Sequence, residues 1–237
     1  MTYCLAIKVK KGIVAISDTR ITSGTETTMA KKYYLHTGKK QALFLMTAGL
    51  RSVRDKALTY FREVIDNDEN FTKLYQAANA LGEQIRRAAS EDKPSLIESG
   101  LQFNLHTLLG GQLQEDKEPK VFMIYPEGNW IEIGEGSPFM VIGNSGFGKP
   151  ILRRTINFNS SLQHALKTGF LSFDSTRVSA NDVDFPIDVI VYENDTYKFK
   201  LHRYELDEMI EISKMWGNKL KESIESIPED WMRKVLE

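Results

Sequence analysis

MTYCLAIKVKKGIVAISDTR, residues 1–20, contains two apolar runs, TYCLAIKV and GIVAIS, joined by KKG. Runs rich in β-branched and aromatic residues on either side of a short glycine-containing segment read as a β-hairpin. With the turn between Val9 and Ile13, hairpin pairing requires facing residues to have numbers that sum to about 22, give or take one. Thr2 then falls opposite about Arg20. Asp18 and Arg20 share one face of their strand, and Asp18 is the diagonal neighbour of Thr2. A hydroxyl, a carboxylate and a guanidinium therefore converge at one end of a sheet.

Downstream, YYLH, TGKK and ALFLMTAG repeat the strand, turn, strand pattern. From Arg51 to about Asn67 the apolar positions Val53, Ala57, Leu58, Phe61 and Ile65 recur every three or four residues, which predicts an amphipathic helix. A second helix is expected from Phe71 to about Ser90, broken by KPS at Pro94. LQFNLHTLLGG, KVFMIYP, NWIEIG and FMVIG then read as strands of a second antiparallel sheet. Two short helical patterns, ILRRTINF and SLQHALKTGFLSF, precede a last hairpin of IDVIVYEND and YKFKLHRY, and a helix from about Leu206 to Ser226 follows. Strands and helices come in separate runs. The class is therefore α+β, with antiparallel sheets covered by helices, in a single domain spanning residues 1–237.

The bulk chemistry narrows the partners. Acidic and basic side chains nearly balance, for a formal net charge of −1, and no long basic run calls for nucleic acid or anionic lipid. No segment approaches the roughly 18 apolar residues of a membrane span, and the first residues lack the layout of a signal peptide. A cytoplasmic location is expected. Cys4 has no second cysteine to pair with, which suits a reducing compartment, and its burial as a small core residue is the ordinary reading. His36, His106, His164 and His202 have no ligand-like spacing, so no metal and no cofactor are expected.

Thr2 has a chemical reading. A threonine hydroxyl attacks a carbonyl only when something takes its proton, and in an N-terminal threonine its own α-amine, with a pKa of about 7.7 to 8.0, is suited to that. Met1 must first be removed, which the small side chain of Thr2 permits. A cation held by Asp18 would lower the pKa of hydroxyl and amine. Lys31 and Lys32, in MAKKYY, are equal candidates by composition.

MTYCLAI, SDTR, AKKYY, TAG and GNSGFG follow one another in the order and approximate spacing of the proteasome β-subunit family of N-terminal nucleophile hydrolases. The MTYC start and long C-terminal helix most resemble its bacterial branch called Anbu, the ancestral β-subunit. The resemblance covers nearly the whole chain and implies a four-layer αββα sandwich with a helical extension from about residue 206. It makes Thr2 the nucleophile, Asp18 and Lys32 its charged partners, and Gly49 the source of an oxyanion-hole NH. Ser145, and Asp174 in FDST, match positions that help hold the terminal amine. Where the family has a serine three residues after that aspartate, this chain has Arg177, with Ser175 or Ser179 as replacement hydroxyls. Arg20 adds a cation that competes with Lys32 for Asp18.

The resemblance thus implies a threonine peptidase that cleaves peptides or unfolded protein inside a homo-oligomer of many subunits; the sequence does not say whether a regulatory ATPase serves it. Two other readings stand beside it: a proteasome-like scaffold with negligible turnover, for which Arg20 and Arg177 are the reasons, and a hydrolase of small amides. GNSGFGKP also has the spacing of a phosphate-binding loop, but Pro150 stands where that loop needs a magnesium-binding hydroxyl. No nucleotide site is expected there.

Overall fold

A computed structural model describes residues 2–23, 25–67 and 71–236. The opening hairpin forms as β1 (Tyr3–Val9) and β2 (Gly12–Asp18), with every residue of both strands buried. Burial on both faces means that both faces are covered. Cys4, Ala6, Ile13 and Ala15 pack into one apolar layer with Ala42, Phe44, Met46 and Leu108 of a second sheet. Leu5, Ile7 and Ile16 point the other way, against Gly169 of a helix. The alternation of side chains along a strand thus sends one set of residues into the space between two sheets and the other under a helical layer.

Two short strands follow, β3 (Arg20–Ser23) and β4 (Glu26–Met29), paired only with each other. The second hairpin is β5 (Tyr33–Gly38) and β6 (Gln41–Gly49). Helices α1 (Arg51–Asp66) and α2 (Leu74–Glu98) come next. Val53, Ala57 and Phe61 of α1 and Leu74, Ala77, Leu81 and Ile85 of α2 recur at helical spacing and pack on Leu43, Leu45, Leu109 and Phe122. Strands β7 (Leu105–Leu113), β8 (Lys120–Ile124) and β9 (Trp130–Glu132) extend the sheet in the order β5-β6-β7-β8-β9. The chain then returns to the first sheet as β10 (Phe139–Gly143), followed by α3 (Lys149–Thr155), α4 (Leu162–Arg177), β11 (Ile187–Glu193) and β12 (Phe199–Tyr204). That sheet runs β10-β1-β2-β11-β12, all antiparallel. The result is the four-layer αββα sandwich. Residues 1–204 form this unit, and residues 205–237 a second one built on α5 (Leu206–Glu225).

Two expectations needed correction, and one hairpin was not foreseen. FMVIG does not join the second sheet: as β10 it pairs with β1, Tyr3 facing Gly143. The second helix does not stop near Ser90 but runs through Pro94 to Glu98. An interior proline removes one backbone hydrogen bond, but here Lys56 of α1 grips Glu91 and Asp92 just ahead of it, and Tyr60 donates to Glu91. The β3–β4 hairpin had no apolar alternation to announce it.

Candidate active site

Thr2 precedes the first residue of β1. The observed register, Cys4 facing Ser17 through Val9 facing Gly12, brings Tyr3 rather than Thr2 alongside the end of β2. The β2 strand ends at Asp18 because the next residue leaves the ladder, Thr19 donating through both its backbone NH and its hydroxyl to Pro186 O. Arg20 therefore starts β3 and does not share a strand face with Asp18. Its guanidinium reaches Asp184 Oδ2 at 3.0 Å, which removes the expected competition with Lys32.

Asp18 is fully buried. Its Oδ1 accepts three hydrogen bonds, from Thr2 Oγ1 at 2.7 Å, from the Tyr3 backbone NH at 2.8 Å and from Lys32 Nζ at 2.7 Å. Its Oδ2 has no partner among the described residues. Burial pushes the Asp18 carboxyl above the ordinary carboxylate range, while the charge and hydrogen bond of Lys32 pull it down. Lys32, also buried, is positioned just ahead of β5, where its carbonyl accepts from Thr47 NH at 3.2 Å. Lys31 is exposed, with its ammonium over the Tyr33 ring. Geometry thus separates two lysines that composition does not.

Thr2 is held on its other side by β10 and the loop after it. Its carbonyl accepts from Asn144 NH at 2.7 Å. Gly143 has φ of 82°, and a Cβ there would sit 2.0 Å from Thr2 O, so only glycine allows the approach. Gly49 closes β6 with φ of 145°, where a Cβ would meet Asn104 O at 2.0 Å. Thr2, Lys32, Gly49 and Ser145 all line one cavity of about 1040 Å³.

Asp174 and Ser175 lie elsewhere, in the last turn of α4. The Asp174 carboxylate is buried and accepts from Arg177 Nε at 3.2 Å and Nη2 at 2.9 Å. The Ser175 carbonyl accepts from Ser179 Oγ, and neither Asp174 nor Ser175 is among the residues lining the cavity. Met1 lies outside the described residues, so its expected removal has no structural counterpart here. Burial pushes the Cys4 thiol up to about 12, so it is no thiolate nucleophile at neutral pH.

Two contributors were not anticipated. Tyr3, beyond its NH on Asp18, places its hydroxyl 2.7 Å from Ser172 Oγ of α4 and so ties the helix layer to the site. The β3–β4 hairpin supplies one wall of the cavity through Arg20, Thr22, Glu26 and Thr28. For Tyr3 the signal was present, since alternation sends it to the face opposite Thr2. For β3–β4 there was none. Among the described residues no group of three or more His, Cys, Asp or Glu side chains is disposed to hold a metal ion, and no helix is long and apolar enough to cross a membrane.

The family model for a proteasome subunit matches residues 2–190, which include nearly every element just described. The chain belongs to the proteasome subunit family. Within it, the resemblance to Anbu extends over almost the full length. A Gly-1 mutant of Anbu from Hyphomicrobium sp. strain MC1 is 31% identical, with a TM-score of 0.89 over 97% of this chain and 99% of that one. Anbu from Yersinia bercovieri is 29% identical, with a TM-score of 0.88 over 95% and 97%. Anbu from Pseudomonas aeruginosa, described as a helical assembly, is 28% identical, with a TM-score of 0.89 over 95% and 97%. No curated protein matches significantly. This proteasome-family chain thus carries the family's fold from its first strand to its last.

Proposed function

We propose that this protein is an N-terminal threonine hydrolase that cleaves peptide or amide bonds within a cytoplasmic homo-oligomer. The observation that carries the reading is the Thr2 hydroxyl, hydrogen-bonded to a buried carboxylate that it shares with a buried lysine, at the wall of a cavity. Removal of Met1 frees the Thr2 amine, which takes the hydroxyl proton directly or through water. Thr2 Oγ1 then forms a bond to the substrate carbonyl carbon, and the Gly49 NH stabilises the oxyanion. The C–N bond breaks as the proton passes to the leaving amine, and water hydrolyses the resulting ester. Lys32 keeps the local potential positive, favouring the less protonated hydroxyl and amine. Residues 1–204 would form the catalytic domain and 205–237 its helical extension. Ser145 is assigned to the terminal amine. The helical assembly of the Pseudomonas relative supports the oligomer.

The deciding experiment combines peptide-library hydrolysis, intact-mass measurement and labelling by an electrophilic inhibitor. Chains beginning at Thr2 should be labelled there, and Thr2→Ala should lose both labelling and hydrolysis. Uniform retention of Met1 in the native cell, or full activity of Thr2→Ala, would end the proposal. One observation favours the scaffold reading: Asp174, the other residue assigned to the amine, is already engaged by Arg177. Turnover below detection with normal assembly is the outcome it requires.

A further inference from the structure

The cavity that the Thr2 hydroxyl lines carries more basic than acidic side chains on its walls. Its walls carry Arg20, Lys32, Arg51, Arg54 and Lys149 against one carboxylate, Glu26. Groups behind the walls offset part of this. Asp18 faces Lys32, Asp184 faces Arg20, and Asp55 is shared by Arg51 at 3.5 Å and Arg54 at 2.7 Å. One carboxylate between two guanidiniums leaves positive charge over, and Lys149 has no hydrogen-bond or ion-pair partner among the described residues.

Two of these cations stand where their own helices disfavour them. Arg51 is the first residue of α1 and Lys149 the first of α3, and neither helix has an acid in its first turn. The unpaired NH groups at a helix start attract anions and repel cations. The i,i+4 pair with Asp55 gives Arg51 a role within its own helix, whereas Lys149 has no such pair among the described residues, and both residues share a place on the cavity.

We propose that the cavity selects acidic peptides, with a glutamate or aspartate side chain beside the scissile bond paired to the Arg51 and Arg54 guanidiniums. The inference rests on the hydrolase reading of Thr2. Gly49, Arg51 and Arg54 line the same cavity as Thr2, so a substrate whose carbonyl is held at the Gly49 NH shares that cavity with both guanidiniums. An acidic side chain gains attraction from the two guanidiniums that a neutral one lacks, and a lysine side chain is repelled by them.

The test uses the full-length assembled protein and peptide amides identical except for Glu, Leu or Lys before a fluorogenic leaving group. kcat/KM is measured for the wild type, and affinity for the same peptides is measured on Thr2→Ala. Glu should exceed Leu at least about tenfold in both, Lys should be poorest, and added salt should narrow the gap. The double variant Arg51→Gln/Arg54→Gln, which removes both guanidiniums of the pair, should lose the preference while keeping the circular dichroism and particle size of the wild type, and Lys149→Gln alone should lower the preference less. Cleavage or binding without an acidic preference, or no affinity at millimolar peptide, overturns this inference. An acidic preference in binding with no cleavage overturns the hydrolase reading instead.

Discussion

Lys32 and Asp18 place opposite charges where water barely reaches, their side chains being 5% and 0% exposed. A buried carboxyl with a raised pKa binds its proton more tightly folded than unfolded. Stability therefore falls as pH rises from the ordinary carboxylate value through the raised one, and is level above it. Lys32 limits that cost. In Lys32→Met the carboxyl should titrate higher still, and the variant should be less stable than the wild type by about 3 kcal/mol at pH 8, since removing one partner strands a buried charge. The deficit should shrink toward pH 4, because protonation of Asp18 removes the stranded charge. Urea unfolding at the two pH values measures it, and a deficit independent of pH would show that Asp18 is not the responding group. Thr2 and Asp18 were legible because strand alternation in the first hairpin places both at its open end. Arg20 was not, because nothing in SDTR signals that the chain leaves the sheet at Thr19.

At the level of elements, Thr2 is held in place by contact between the start of β1 and the end of β10, where Asn144 NH meets Thr2 O across Gly143. Gly143→Ala places a methyl 2.0 Å from that carbonyl at a φ of 82°, so the two chain segments must part. The expected cost is at least about 2 kcal/mol, or about 5 °C in Tm, together with loss of inhibitor labelling at Thr2. Gly146→Ala, three residues on with nothing within 4 Å of the added methyl, should leave both unchanged. Equal effects would mean that the loop as a whole, rather than the close approach, matters. The hairpins and amphipathic helices were readable because each repeats a period over several residues. β10 reads as a strand, but its partner is chosen by long-range packing that no local pattern encodes. β4 has no buried residue, and so it left no hydrophobic trace at all.

For the whole molecule, the informative surface lies in residues 205–237. Helix α5 has no buried residue, and Met215, Ile224, Trp231 and Val235 are 62%, 73%, 65% and 84% exposed. Large exposed apolar side chains concentrated in one short segment are unusual for a chain that works alone, and a covering partner removes that surface from water. Another copy of the same chain is the partner that fits the proposed oligomer. The sequence alone showed the long helix but not this exposure, because amphipathic spacing looks the same whether the apolar stripe is covered by its own chain or by another. Sedimentation at micromolar concentration should give particles larger than a dimer. Met215→Glu together with Ile224→Glu should shift the distribution toward smaller species while leaving the Tm of residues 1–204 and monomer circular dichroism unchanged. A wild type that is strictly monomeric would count against the enclosed peptidase and leave small-amide hydrolysis standing. Large particles unaffected by the two substitutions would place the assembly contacts on the sandwich instead of on the C-terminal unit.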